Sequence, residues 1–224
     1  MHVYVVFAHP SLRSFSQAVL ERFTGGLREA GHSFEIGDLY RMGFPSEMDE
    51  AQYRRETGPD PGAPVPADVL EEQRKMDRAD ALAFICPLWW SDCPAKLKGW
   101  FDRVLTLGYA YFYDAGNQRG TRISIRKALV LYTAGHTAEH LEETGAAAAM
   151  RRIMLGDRLL GVGVTEARLE ILGGMMPGDD THREENLERA YELGRDFRGK
   201  TGCAMFPWMP EIHRSARRAS GGGH

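Results

Sequence analysis

Residues 81–104 read ALAFICPLWWSDCPAKLKGWFDRV. The stretch opens as a short apolar run over 81–86, long enough for a buried strand and too short to span a membrane. Pro87 is expected to stop that strand, because proline has no N–H for a central ladder. Leu88, Trp89 and Trp90 then stand where a loop would ordinarily be polar. Pro94 suits a first helical turn. From Ala95 the apolar residues Leu97, Trp100, Phe101, Val104 and Leu105 recur at helical spacing. A strand therefore ends, an aromatic loop crosses its top and a helix begins. In open α/β sheets, ligands bind at that edge. Two readings of the tryptophans stand side by side: core filler beneath a loop, or a wall for a flat aromatic ligand, since rigid rings stack at low entropic cost.

Upstream, MHVYVVFA at 1–8 is β-branched and aromatic, as a central parallel strand requires. The loop from His9 leads to Ser14, a good N-cap for a helix running through Leu27 with Phe15, Ala18, Val19, Phe23 and Leu27 on one face. The unpaired amides at that helix start, with Arg13, Ser14 and Ser16, form either a plain capped terminus or an anion site. Neither a Walker loop nor a GxGxxG fingerprint occurs there. Gly31 ends the helix and 33–39 reads as a second strand. Residues 40–66 hold five prolines and read as a long excursion from the domain, of the length that usually serves function or a partner. Asp68 is expected to cap a helix to Ala79.

Downstream, the 108–116 segment concentrates Tyr109, Tyr111, Phe112 and Tyr113. It reads as a satellite hydrophobic cluster or as a second face of the tryptophan pocket. Ala128 to Thr133 is the next strand, followed by Thr133, Ala134, Gly135 and His136, where small residues let a ligand approach the backbone. His136 and His140 are available for acid–base work, although a lone loop histidine is more often solvated. Residues 139–160 have helical character, 162–172 form a last strand and 180–197 a polar helix. The 199–224 tail mixes Phe206, Trp208 and Met209 with prolines and the basic run at 213–218, and is expected to be held by a partner subunit.

The whole chain has 224 residues, 43% of them hydrophobic, enough for one large core over 1–198. A net charge of −3 argues against nucleic-acid binding. Three cysteines without a CxxC pair suit a reducing, cytoplasmic setting. There is no signal-peptide pattern and no apolar run long enough for membrane insertion. No metal-ligand cluster is spaced for zinc, His182 and His213 included.

Strand and helix patterns alternate throughout, which argues an α/β fold with a five-stranded parallel sheet and helices on both faces. Four segments, FAHPSLRSFS at 7–16, PLWWSDCPAKLKGWFDRV at 87–104, GYAY at 108–111 and YTAGH at 132–136, resemble the flavodoxin-fold NAD(P)H:quinone oxidoreductases. That group includes DT-diaphorase-like enzymes, bacterial quinone reductases and ancillary subunits of potassium efflux systems. The resemblance covers about residues 2–195 and is most specific at 87–104. It implies FAD, with FMN as the other possibility, and NAD(P)H as co-substrate, with hydride passed by ping-pong chemistry to a quinone or similar aromatic acceptor. It implies phosphate binding by His9, Ser14, Phe15 and Ser16. A flavin-ring wall falls on Pro87, Leu88, Trp89 and Trp90, and ring contacts fall on Thr133, Ala134, Gly135 and His136. Tyr111 corresponds to a substrate gate, with Tyr109 near it, and His140 is the nearest candidate for proton transfer. A homodimer follows, because in that family a second subunit completes the acceptor site. Where the family has Thr-Thr-Gly-Gly, this chain has Thr-Ala-Gly-His, and Ser91 replaces an aromatic. Those departures leave open an azo, nitro or specialised aromatic acceptor, and a regulatory flavoprotein partner of a transporter is the remaining alternative.

Overall fold

A computed structural model describes residues 1–58, 63–176 and 180–197. Five parallel strands form one sheet in the order β2–β1–β3–β6–β7: β1 (His2–Phe7), β2 (Ser33–Asp38), β3 (Ala81–Pro87), β6 (Lys127–Thr133) and β7 (Glu166–Leu172). This is the flavodoxin-like order, and the chain reverses its direction of winding between β1 and β3. Two short strands, β4 (Phe112–Tyr113) and β5 (Arg119–Gly120), pair antiparallel apart from it.

Alternation along the strands sorts side chains to two cores. Val3, Val5 and Phe7 of β1, Ala81, Ala83 and Ile85 of β3, and Leu129 and Leu131 of β6 face α1 (Phe15–Glu29) and α7 (Arg183–Arg195). Tyr4, Val6, Leu82, Phe84, Cys86, Val130 and Tyr132 face the other way, towards α3 (Ala67–Arg78) and α4 (Ala95–Val104). Helices α1 and α7 touch backbone to backbone. A Cβ on Gly26 would lie 2.1 Å from the Tyr191 carbonyl oxygen, and one on Gly194 would lie 2.1 Å from that of Phe23.

Several local expectations change. Pro87 belongs to β3 as its last residue, opposite Thr133, and the ladder resumes at once as the Leu88 amide donates to Thr133 O at 2.8 Å. A proline is tolerated at that terminal position because its missing N–H removes a single rung. Asp68 is not the N-cap of α3. The helix starts at Ala67 after Pro66, and the Asp68 carboxylate instead forks with Arg103 of α4. The helical stretch expected over 139–160 is broken. It consists of α5 (Ala138–Glu143), a left-handed Gly145 at φ 78°, α6 (Ala146–Arg151), a π-helical segment (Arg152–Leu159) and a 3₁₀ turn (Leu160–Val162). The last strand accordingly begins at Glu166 rather than 162.

The 40–66 excursion folds back on its own chain through α2 (Glu50–Thr57). Gln52 donates to Arg103 O at 2.8 Å, Arg103 returns a bond to Gln52 Oε1 at 2.9 Å and donates to Pro45 O at 3.0 Å. Buried Arg55 reaches Leu107 O, while Glu56 accepts from the Leu107 amide at 2.7 Å. Side chains thus satisfy backbone groups at the end of α4, where the last carbonyls of any helix lack intrahelical partners. The 199–224 tail and its expected partner lie outside the described residues.

Candidate active site

Three loops converge beyond the carboxyl ends of β1, β3 and β6, flanking the reversal in strand order. The first runs from His9 to Ser14. Ser14 caps α1, accepting from the Gln17 amide at 3.1 Å. The amides of Phe15 and Ser16, at the positive end of the helix dipole, have no hydrogen-bond partner among the described residues. His9 Nδ1 lies 3.0 Å from the Ser11 amide and 3.2 Å from Ser11 O, and burial holds the imidazole below the usual histidine range despite the carbonyl contact.

The second loop carries the tryptophans. Trp89 and Asp92 exchange backbone hydrogen bonds at 3.0 and 3.2 Å, closing a two-residue turn. Trp90 and Ser91, its central pair, both have left-handed backbones, at φ 50° and 64°. Turns of this form favour Asn-Gly, and a non-glycine residue there costs about 1–3 kcal/mol. The indole of Trp90 is 100% exposed and that of Trp89 42%. The reading of the tryptophans as core filler therefore fails; the core aromatic of this region is Trp100. The His9 and Trp89 rings lie 5.9 Å apart, tilted by 60°, and join the first loop to the second.

Asp92 is held by Arg158 from the π-helical segment. Nη1 meets Oδ1 and Nη2 meets Oδ2, both at 2.9 Å. Burial works to raise the Asp92 carboxyl, but the hydrogen bonds from Arg158 and from the Cys93 amide bring it below the usual carboxylate range. Burial, with the Asp92 charge behind it, pushes the Cys93 thiol up to about 12, so Cys93 stays protonated and is a poor nucleophile. Burial likewise raises the thiol of the wholly buried Cys86.

The third loop follows β6. Thr133 turns its hydroxyl onto that of Ser16 at 2.7 Å, so these two predicted ligands are buried and partnered with each other. Ala134 is buried as well, its amide committed to Leu172 O at 3.1 Å. Gly135 and His136 retain amides with no partner among the described residues. The exposed His136 and His140 rings lie 4.7 Å apart. Pro87 is buried and Leu88 half-buried beneath the tryptophan turn.

Tyr111 sits elsewhere, on the turn where Gly108 donates to Tyr111 O at 2.7 Å, with Arg119 5.7 Å from its ring centre. Tyr109 is fastened beside it by a bond to Asp77 at 2.8 Å. At the start of α7, Arg183 lies 5.2 Å from the centre of the Phe15 ring, bringing a cation to the start of α1. A cavity of about 590 Å³ opens next to the third loop, between β7 and α7. Glu139, Glu170, Glu185, Glu188 and Glu192 line it, which disfavours phosphate there. Among the described residues no group of three or more His, Cys, Asp or Glu could hold a metal, and no helix is long and apolar enough to cross a membrane.

Asp92 and Arg158 escaped the sequence reading because they are 66 residues apart, and the broken helical period that aims Arg158 leaves no pattern. The sole signal was an arginine within the apolar stretch 153–162.

A family profile described as the flavodoxin-like fold matches residues 1–193. Mouse ribosyldihydronicotinamide dehydrogenase [quinone] is 34% identical over 166 residues, 66% of this chain and 70% of its own. An NAD(P)H oxidoreductase of Haemophilus influenzae is 28% identical over 85% of this chain and 92% of its own. The solved structure of an NAD(P)H:quinone oxidoreductase from Methanothermobacter marburgensis is 62% identical, with a TM-score of 0.85 over 90% of this chain and 98% of that one.

Proposed function

The chain belongs to the flavodoxin-like family that contains the NAD(P)H:quinone oxidoreductases, and from that premise we propose that it is a flavin-dependent NAD(P)H:quinone reductase. The observation that carries this reading is the convergence of unpartnered amides at Phe15 and Ser16 with an outward tryptophan turn and the open Gly135–His136 backbone. That donor set fits a flavin: amides at a helix start suit its phosphate, an indole face suits its ring, and backbone N–H groups suit ring nitrogens and carbonyls.

A bound flavin supplies two-electron chemistry, accepting hydride from NAD(P)H and passing it to a quinone. The protein's part is placement. Phe15 and Ser16 bind phosphate through their amides, with Ser14 and Ser16 ordering the turn and His9 bracing Trp89. Leu88, Trp89 and Trp90 wall the ring, and Gly135 and His136 donate to its edge, with Pro87, Thr133 and Ala134 as the buried floor. His140, behind His136, supplies protons to the crevice. The Arg183–Phe15 contact supports FAD over FMN, because it adds a cation and an aromatic plate where a second phosphate and adenine would lie. Tyr111 gates the acceptor in a cytoplasmic homodimer, each subunit completing its partner's site. His136, whose exposed side chain stands where the family has glycine, favours a second reading in which an azo or nitro aromatic is the acceptor.

The test is to purify the protein, extract its flavin for chromatography and follow NADH and NADPH oxidation with a naphthoquinone. The expected result is a yellow protein carrying FAD that turns over with the quinone. A protein that takes up neither FAD nor FMN overturns the proposal, and bound FMN overturns the FAD assignment alone.

A further inference from the structure

We propose that Arg158 is a positioning residue for the acceptor wall: by clamping Asp92 it holds the Trp89–Asp92 turn that presents Trp90. The inference rests on the reductase reading for its kinetic consequence but not for its geometry. The central residues of the turn are held left-handed without a glycine, at φ 50° and 64°. A turn of that shape relaxes unless its ends are pinned. Backbone hydrogen bonds between Trp89 and Asp92 pin its neck. The Arg158 fork pins the Asp92 side chain, whose Oδ1 also accepts from the Cys93 amide at 2.7 Å.

The guanidinium is fixed in turn. It lies 5.4 Å from the centre of the Phe101 ring, and its Nη1 is 3.6 Å from Cys93 Sγ. The π-helical segment makes this aim possible. Met154, Leu155 and Leu159 are buried beside it, and the Arg158 side chain, only 12% exposed, meets Asp92 from within that layer. Wide helical turns of this kind recur at functional sites because they re-aim one side chain without disturbing its neighbours. Planar two-point recognition also explains an arginine here, since a lysine offers a point charge without the fork.

The experiment labels the protein with 5-fluorotryptophan and reads its ¹⁹F spectrum, with Trp90→Phe assigning the Trp90 resonance and Trp100→Phe that of the buried control. Arg158→Lys keeps the charge and loses the fork, while Asp92→Asn keeps the shape and loses the charge. Both are expected to move or broaden the Trp90 resonance and leave that of Trp100 in place. Measured at saturating flavin, KM for a naphthoquinone rises about tenfold while kcat changes less than about twofold. Adding Ser91→Gly to Arg158→Lys restores both readouts, since glycine takes the left-handed conformation without strain. The proposal is overturned if the Trp90 resonance stays put in both variants, if Trp90 and Trp100 shift together, or if Ser91→Gly rescues nothing. A wild-type protein that fails to bind flavin ends the reductase reading, and the resonances still decide the clamp.

Discussion

On the α1–α7 side of the sheet, Val3, Val5, Phe7, Ile85 and Leu131 meet Val19, Phe23 and Leu27, and two glycines let helix backbones touch. On the α3–α4 side, an equally buried layer contains Glu72, Gln73, Lys75, Gln52, Arg55 and Arg103. The buried layer of the first side is apolar, and its directed bonds, such as Arg22 to Glu188 at 2.5 Å and Tyr191 to Glu29, join α1 and α7 at their exposed margin. The second is fastened by directed hydrogen bonds, many of them from side chains to the backbone of the excursion, of the end of α4 and of the turn that follows it. The difference matches what each carries. The apolar side holds one short loop and the turn that starts α1. The polar side holds long irregular segments whose carbonyls and amides need partners when buried. The site lies along the edge where the two constructions meet.

The largest expected effect comes from breaking the polar side. Glu72 is fully buried and accepts from Tyr4 Oη, from Trp100 Nε1 at 2.7 Å and from Lys75 Nζ at 2.6 Å. Glu72→Ala strands all three donors, Lys75 as a charge, and should cost about 3–5 kcal/mol in urea unfolding. If the two sides were fastened alike, the loss would instead be near the 1–3 kcal/mol of an ordinary unsatisfied neutral group. On the apolar side, Gly26→Ala puts a methyl group into the backbone of α7. It should cost about 1–3 kcal/mol by forcing the helices apart, measured the same way. The same substitution at exposed Gly116, where the added carbon meets only the Asp114 carboxylate at 3.3 Å, is the control.

This contrast also sorts what was legible in the sequence. The continuous apolar runs VYVVF, ALAFIC and ALVLYT announced the central strands, because strands covered on both faces carry no polar side, and the helical spacing after Pro94 announced α4, because burial on one face leaves a period. The converging loops were legible as positions: His9, Trp89 and Gly135 all follow strands. What each side chain does there was not. Nothing in Ser16 or Thr133 says that their hydroxyls turn onto each other across 117 residues. Helix α2 was hidden among prolines and charged residues because its docking depends on Gln52 and Arg55, which composition scores as solvent-facing. The π-helical break left no sign either, since the contact made from it, Arg158 to Asp92, joins residues 66 positions apart.

A smaller effect is expected at the edge between the two constructions. Trp90 contributes no burial, being 100% exposed, so Trp90→Ala should change unfolding free energy by less than about 0.5 kcal/mol. The same change removes the largest planar surface offered to an acceptor and should raise KM for a naphthoquinone about tenfold or more. A destabilised protein with unaltered KM would place Trp90 with the core aromatics such as Trp100 rather than with the site.

The smallest expected effect is a pH dependence at His9, where the loop before α1 touches the strained tryptophan turn. Burial lowers the His9 pKa in the folded chain, so the folded protein binds fewer protons there than the unfolded chain does. The contribution of a neutral His9 is therefore complete above the ordinary histidine value of about 6.5 and is lost as pH falls through it towards the lower folded value. Between pH 7.5 and 5.5 the melting temperature of the wild type should fall more than that of His9→Gln, which cannot titrate, and equal slopes would mean that the ring faces water. Protonation also brings positive charge to the Trp89 contact at 5.9 Å, which an indole face tolerates. The pH slope thus measures desolvation at the joint between the two loops rather than loss of the ring contact, and it should persist in Trp89→Phe.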